Sequence, residues 1–292
     1  MVNRIWIGFT LALLAATTAF AAGPAEVREQ VEASMLVTGT LVIEPDGRVS
    51  TWDLDRREKI LEPVVELIGK AAGSWVFEPV VVDGEAVRAK ARMSLRVVAT
   101  PHDDDNFQLT IRSGHFGDDA MSAQERRKAA ATDRARSLRM SPPAYPAAAL
   151  SAGVRGTVYL VVRINRDGRV EDVFAEQVNL RTIGSEREME RMRQMLARPA
   201  LAAARRWTFS IPTTGEDADN DYWSLRIPVQ YLLYDEKEPG YGEWQAYIPG
   251  PRHKAPWSKR ELRPDESPDA MVAGRVYQEG REMKLLTPLG EG

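Results

Sequence analysis

The residue types that most often carry catalysis or bind metal ions are few in this sequence and far apart. The three histidines are His102, His115 and His253, and none of them has a partner at the short spacing of a metal-binding motif. The chain has no cysteine, so it offers neither a thiolate metal site nor a cysteine nucleophile. No Gly-x-Ser-x-Gly motif and no phosphate-binding glycine loop occurs. The sequence therefore predicts a protein that is not an enzyme and uses no cofactor.

Two acidic clusters contain the oxygen ligands that hard cations prefer. Asp103, Asp104 and Asp105 follow His102, and a second cluster runs from Asp217 to Asp221. The second cluster begins like a calcium-binding loop. It fails later in the motif, because Tyr222 stands at the glycine position and Pro228 at the position of the bidentate glutamate. We interpret both clusters as polar loops and predict no metal site.

The composition and the first residues indicate an exported soluble protein. The formal net charge of −3 gives no reason to expect a nucleic-acid partner. An apolar run from Ile5 to Ala22 ends in Ala19-Phe20-Ala21, a pattern typical of signal-peptide cleavage. We expect residues 1–21 to be a signal peptide and the mature protein to be periplasmic. The alternative is an uncleaved anchor in the inner membrane, with the protein facing the periplasm, because a spanning helix needs about 20 apolar residues.

Strand and helix patterns fall into two groups of the same order. In residues 35–100, two strands flank the turn Asp46-Gly47, a helical segment follows, and an alternating strand ends the group. In residues 142–235, the turn is Asp167-Gly168 and the last strand runs from Tyr222 to Tyr234. We predict an α+β fold of two tandem units, each a small three-stranded antiparallel sheet packed with helices.

Short matching segments support an internal repeat. They occur in the same order in both groups: Gly39-Thr40-Leu41-Val42 with Gly156-Thr157-Val158-Tyr159, Asp46-Gly47-Arg48-Val49 with Asp167-Gly168-Arg169-Val170, Trp75-Val76-Phe77 with Trp207-Thr208-Phe209, and Ser94-Leu95-Arg96-Val97 with Ser224-Leu225-Arg226-Ile227. The alternative is two unrelated sheets that share Asp-Gly turns.

Residues 101–141 are predicted to be a linker. Residues 236–292 are predicted to be a Pro-rich aromatic tail that docks to about Trp257 and is mobile beyond it.

The second group resembles the TonB C-terminal domain family over about 93 residues. The landmarks, in the family's order, are Pro143-Ala144-Tyr145-Pro146, Gly153, Gly156-Thr157-Val158, Asp167-Gly168-Arg169-Val170, Ala204-Arg205-Arg206-Trp207-Thr208-Phe209 and Ile227-Pro228-Val229-Gln230-Tyr231. The first group resembles a degenerate copy without the Pro-x-Tyr-Pro entry. The resemblance implies the family's α/β sandwich and binding of the extended TonB-box peptide of an outer-membrane receptor by strand addition.

The residues themselves also favour strand addition. Pro228 cannot donate a ladder hydrogen bond, which favours a strand with an open edge, and an open edge is a template for an incoming strand. The predicted partner-binding residues are Pro143, Tyr145 and Pro146, which shape the entry, and Arg226, Ile227, Val229, Gln230 and Tyr231, which form the docking edge.

The resemblance does not extend to the parts by which TonB meets the inner-membrane motor complex. Residues 5–22 contain no histidine, and no Pro-rich rod follows them. Three hypotheses therefore stand: a periplasmic peptide-binding protein, a membrane-anchored energy transducer, and a structural interaction module. In the third, the sheets pair with each other or across a homodimer and leave no free edge.

Overall fold

The computed structural model describes residues 32–103, 106–117, 133–233, 240–258 and 267–290. The elements of the first lobe, in chain order, are β1 (Glu32–Ile43), β2 (Val49–Leu54), helix α1 (Glu62–Ala72), β3 (Val81–Val82), β4 (Glu85–Ala86), β5 (Ala89–Asp103) and β6 (Asn106–Phe116). Strand β1 lies between β2 and β5, and β6 pairs with the other side of β5, all antiparallel. Strands β3 and β4 form a separate exposed hairpin.

The alternation along β1 explains why α1 covers one face of this sheet. Met35, Val37 and Leu41 point to the same side and are fully buried, and they share a core with Val64 and Ile68 of the helix. The opposite face carries polar side chains such as those of Ser34 and Ser94. Those serines are buried too, because the second lobe and the tail cover them.

The second lobe repeats this arrangement. Its elements are β7 (Arg136–Arg139), α2 (Ala147–Ser151), β8 (Gly156–Asn165), β9 (Val170–Leu180), α3 (Glu186–Ala204), β10 (Thr208–Ser210) and β11 (Tyr222–Tyr231). Strand β8 lies between β9 and β11, and Val158, Leu160 and Val162 pack towards α3. Ser185 and Glu188 form a capping box that begins α3.

The tail joins the two lobes. Strand β12 (Gln245–Tyr247) extends the first sheet beside β1, and β13 (Tyr277–Gln278) extends the second sheet beside β11. Between them, the short 3-10 helix Pro268–Ala270 lies against β5, β6 and β11. The helices cover the outer faces of the two sheets, and the inner faces meet around this segment.

The structure corrects three expectations. The sheets have five and four strands rather than three, because the tail and β6 add to them. The predicted linker 101–141 contains β6, which pairs along most of β5 and buries Ile111. The tail beyond Trp257 was expected to be mobile, but Tyr277, Leu285 and Leu289 are buried. Apolar side chains anchor these segments over long sequence separations that local patterns do not reveal.

In the described residues, the helices are too short or too polar to span a bilayer. The expected signal peptide or anchor, residues 1–21, lies outside the described residues.

Each Asp-Gly turn is hydrogen-bonded to the segment that follows the helix. The backbone N–H of Phe77 donates to the carbonyl of Gly47 at 2.8 Å, and Phe209 donates to Gly168 at 2.8 Å in the second lobe. Gly168 has a φ of +71°, and a Cβ there would lie 1.9 Å from the carbonyl oxygen of Phe209. Glycine is therefore required both for the conformation and for the close approach.

We expect Gly168→Ala to lower the free energy of unfolding by more than about 3 kcal/mol, since left-handed strain of about 1–2 kcal/mol adds to a backbone clash. Gly84→Ala is the matched control. Gly84 has a φ of +85° with nothing within 4 Å of the new Cβ, so only the strain applies. Urea unfolding of both variants measures the difference, and equal losses would show that the contact with Phe209 is unimportant.

Candidate functional site

The predicted docking edge is the side of β11 that faces away from β8. The tail occupies part of it: Leu225 and Arg226 pair with Gln278 and Tyr277 of β13. Two backbone bonds extend this pairing, from Glu279 N–H to the carbonyl of Ser224 at 2.9 Å and from Gly274 N–H to the carbonyl of Pro228 at 3.0 Å. The edge was predicted to be free from Arg226 to Tyr231, so this prediction is wrong for its first half.

The pairing of the tail identifies which β11 residues point outward. In an antiparallel strand, both backbone groups of alternate residues point to the same side. Ser224, Arg226 and Pro228 point towards the tail, so Gln230 points that way as well. None of the described residues pairs with the outward N–H and C=O of Gln230. Within the predicted docking edge, Arg226 to Tyr231, the uncovered part is therefore at Gln230, near the end of β11.

This end of β11 opens into a cavity between the two lobes. Its volume is about 260 Å³. Strands β1, β8 and β9, the tail and Gln230 contribute to its walls. The charged side chains that line it are Arg96, Arg181, Arg275 and Glu243, and the aromatic ones are Tyr159, Tyr241 and Tyr247. The cavity wall thus carries more positive than negative side chains.

The Pro-x-Tyr-Pro segment meets the same end of β11. The hydroxyl of Tyr145 donates to the carbonyl of Val154 at 2.5 Å, and its ring contacts Tyr231 edge to face at 5.4 Å. Pro146 is the N-cap residue of α2, and Pro143 is half-buried beside it. Burial raises the pKa of the Tyr231 hydroxyl, and the neighbouring Tyr145 adds to this effect. The structure therefore brings Tyr145 and Tyr231 into contact.

Three predicted partner-binding side chains are not available to a partner. Ile227 is 1% exposed and packs in the core under α3, and Tyr231 is 3% exposed. Arg226 is also buried, and it is held by ion pairs. Only Val229 and Gln230 of the predicted edge keep half-buried side chains. Any partner would have to meet this strand mainly through its backbone.

Arg226 is the centre of a buried ion-pair network that local sequence patterns do not reveal. Its Nε donates to Glu176 of β9 at 2.8 Å, and its Nη2 lies 2.9 Å from Glu279 of the tail. Arg252, also in the tail, donates to the second oxygen of Glu176 at 2.8 Å. Burial lowers the pKa of Arg226, but the carboxylates of Glu176 and Glu279 more than compensate, so the pKa lies above its usual value. The network fastens the tail to the second sheet.

Asp269 forms a second buried centre between the lobes. It is 1% exposed, and its two carboxylate oxygens accept hydrogen bonds from Ser113 and Tyr247. Arg96 of β5 donates to the backbone carbonyl of Asp269 at 2.6 Å and also bonds to Tyr159 of β8. In the sequence, the one indication of burial for these polar residues is their alternation with the core residues of β5 and β8.

The burial of Tyr159 predicts a loss of stability at high pH. Burial, opposed by the charge of Arg96, raises the pKa of Tyr159 to about 12. An unfolded tyrosine titrates near pH 10, so the neutral form stabilises the fold below about pH 10, and this contribution is lost as the pH rises to 12. Between pH 9 and 12, the unaltered chain should lose the stabilisation that neutral Tyr159 provides, and the Tyr159→Phe variant has none to lose. The fall in unfolding free energy over this range should therefore be about 2 kcal/mol smaller for the variant than for the unaltered chain. Urea midpoints measured across this range would contradict the assignment if both fell equally.

The acidic cluster that begins at Asp217 is used by the protein itself. One oxygen of Asp217 accepts from Gln278 at 2.8 Å and from Arg281 at 2.7 Å. Across the described residues, no group of three or more His, Asp or Glu side chains is arranged to hold a metal ion. Of the other cluster, Asp104 and Asp105 lie outside the described residues, and the side chains of His102 and Asp103 are not described.

Comparisons with known proteins agree with the resemblance seen in the sequence. No family model matches the chain. Protein TonB of Xanthomonas campestris pv. campestris, from strain B100 and from strain ATCC 33913, is 37% identical over 98 residues. The match covers 33% of this chain and 37% of each relative, so it spans little more than a third of their length. The solution NMR structure of the Pseudomonas aeruginosa TonB CTD is 23% identical and covers 36% of this chain and 90% of that chain, with a TM-score of 0.22.

The two curated relatives match over a length close to that of the 93-residue resemblance, and the protein has the mixed α/β, antiparallel architecture expected from that resemblance. The chain thus contains a TonB C-terminal-domain-like region of α+β fold.

Proposed function

We propose that this protein binds an extended segment of a partner protein by adding it as a strand to the uncovered end of β11. The observation that carries the proposal is the outward backbone of Gln230, which the described residues leave unpaired beside an open cavity. The similarity to TonB supports a partner of the outer-membrane receptor class with a TonB-box-like segment, and a role in TonB-dependent transport.

The tail shows that β11 can accept an antiparallel strand on this side. The remaining edge is short, so an incoming segment gains only a few backbone hydrogen bonds, each worth about 1 kcal/mol. Burial of one apolar side chain in the cavity adds about 2 kcal/mol. We therefore expect a Kd between about 0.01 and 1 mM. The three arginines and one glutamate of the cavity wall favour a segment with an acidic side chain.

Isothermal titration of the chain with TonB-box peptides tests the proposal. The control peptide has the same length and charge but carries proline at alternate positions, so that it cannot donate the ladder hydrogen bonds. Heat that saturates with the first peptide and not with the control supports strand addition. Absence of heat at millimolar peptide contradicts it.

A structural module without a free edge is the second candidate. The tail favours it, because β13 covers part of the β11 edge. On the other edge of the sheet, the backbone N–H of His253 donates to the backbone carbonyl of Glu176 in β9 at 2.8 Å. In this case the remaining edge would serve only contacts within the protein or across a homodimer. Light scattering distinguishes the homodimer, because a mass twice that of the 32.6 kDa chain is then expected.

We also propose that the two lobes are copies of one unit. The matching turn-to-phenylalanine bonds at Gly47 and Gly168 support this, as does the common strand order of β2-β1-β5 and β9-β8-β11.

The segment before residue 22 is proposed to direct export to the periplasm. N-terminal sequencing of the purified protein tests this: a start at Ala22 supports a cleaved signal peptide, and an intact N-terminus supports the anchored energy transducer.

A further inference from the structure

Helix α3 carries a straight row of arginines on its solvent face. The row contains Arg187, Arg191, Arg198 and Arg205, and all four are exposed. At about 100° per residue, their side chains leave the helix axis within about 40° of one another. From the first to the last arginine, the row is about 27 Å long, because each residue rises about 1.5 Å.

These arginines are not used to stabilise the described fold. In the described part of the chain, no carboxylate forms an ion pair with any of the four. The neighbouring Glu188 forms the helix cap with Ser185. The hydrogen bonds from Ser185 lower the pKa of the Glu188 carboxyl, and the nearby charge of Arg191 adds to this effect. Such a row is unexpected in a chain with a net charge of −3, since four like charges along a line repel one another.

A hollow at the C-terminal end of the row adds two more arginines. Its volume is about 380 Å³, and it is lined by Arg139, Ser141, Ala203, Arg206 and Trp207. Arg139 and Arg206 are exposed, and they too form no ion pair with the described residues. Two guanidinium groups and a hydroxyl around a small hollow suit a phosphate-bearing group, because guanidinium groups bind phosphate in a bidentate manner.

We propose that this surface, the α3 arginine row together with its terminal hollow, binds an anionic phospholipid membrane. The row presents its charges in a line on the outermost layer of the second lobe, where all of them can reach one flat surface. The hollow accepts a single phosphate headgroup. Helix α3 packs on β8 and β9, whereas the candidate peptide edge is the outer edge of β11, so both surfaces can be occupied together.

The composition of the surface favours a lipid layer over an acidic protein. Stable protein interfaces are built around a buried apolar or aromatic centre. Apart from Ala202, no apolar residue of α3 is exposed. Leu138, which directly precedes the lining residue Arg139 in β7, has a large apolar side chain that is 70% exposed. A single leucine is too small for the centre of a protein interface but can enter the headgroup region of a bilayer.

Vesicle co-sedimentation of the full chain tests the proposal. Vesicles of phosphatidylcholine with about 30% phosphatidylglycerol are compared with pure phosphatidylcholine, at low and high salt. The row variant is Arg191→Gln/Arg198→Gln/Arg205→Gln. The control variant is Arg48→Gln/Arg57→Gln/Arg88→Gln, which removes the same charge from exposed arginines of the first lobe, each already beside a carboxylate. Apolar residues 5–22 would contribute equally to binding of neutral and anionic vesicles. The difference in binding between the two vesicle types therefore excludes their contribution.

The unaltered chain and the control variant are expected to partition at least tenfold more strongly onto anionic than onto neutral vesicles. The partition coefficient of the row variant onto anionic vesicles is expected to be about 100-fold lower than that of the unaltered chain. Each of the three arginines removed contributes about fivefold to partitioning onto such a surface. High salt should abolish the preference. Equal partitioning onto the two vesicle types, or equal losses in the row and control variants, would overturn the proposal. Retention on poly-glutamate without vesicle binding would overturn it in favour of an acidic protein partner.

Discussion

Arg226→Met is expected to lower the free energy of unfolding by about 3–5 kcal/mol, the usual cost of removing one partner from a buried ion pair. The side chain of Arg226 is 9% exposed and that of Glu176 is 2% exposed, so water cannot replace the lost guanidinium group. Glu279 and Glu282 of the tail lose the same partner. The variant should therefore loosen the attachment of the tail as well as the sheet.

Urea unfolding followed by tryptophan fluorescence measures this loss. Arg57→Met is the matched control, because Arg57 pairs with Glu62 at 2.9 Å while both side chains are at least half exposed. Such surface pairs contribute about 0–1 kcal/mol. A loss below about 1 kcal/mol for Arg226→Met, equal to that of the control, would mean that the network does not hold the lobes and the tail together.

Gln230→Pro is expected to weaken peptide binding at least tenfold, because proline removes the outward N–H that an incoming strand needs. The fold should tolerate the change. Pro228 has the same outward orientation two residues earlier, and the N–H of Gln230 has no partner in the described residues. Its inward neighbour Val229, which pairs opposite Val158, keeps its ladder bonds to β8.

Gln230→Ala is the control for this prediction. It removes the side chain and keeps the backbone donor, so the Kd should stay within about threefold. Titration of both variants with the same TonB-box peptide separates the two contributions. If the alanine variant lost as much affinity as the proline variant, recognition would depend on the glutamine side chain and not on strand addition.

The strands and helices of the two lobes could be predicted from local patterns. Alternation from Val158 to Ile164 and from Trp223 to Tyr231 marks β8 and β11, and the Asp-Gly turns join the strands as expected. These elements depend on neighbouring residues, so a single sequence is sufficient to find them. That the two lobes are copies of one unit stays a prediction.

The tail could not be predicted in this way. Strand β13 has two residues and no alternation, and its position depends on distant partners. The side-chain oxygen of Gln278 accepts from Ala135 N–H at 2.9 Å, and its amide donates to Asp217 at 2.8 Å. For the same reason, the covered half of the β11 edge was missed. The sequence predicted β11 as a strand, but which part of its edge is open depends on contacts about 50 residues away.

Disulfide trapping at the end of β11 tests the central claim, strand addition at Gln230, most directly. The chain has no cysteine, so Gln230→Cys introduces a unique thiol. A series of TonB-box peptides, each with one cysteine at a successive position, is then allowed to oxidise with it. An antiparallel added strand predicts strong trapping in one register, with weak trapping at the adjacent positions, because only directly opposed side chains approach closely enough. Trapping that is uniform along the peptide, or equally strong with the exposed β2 variant Thr51→Cys, would contradict the account.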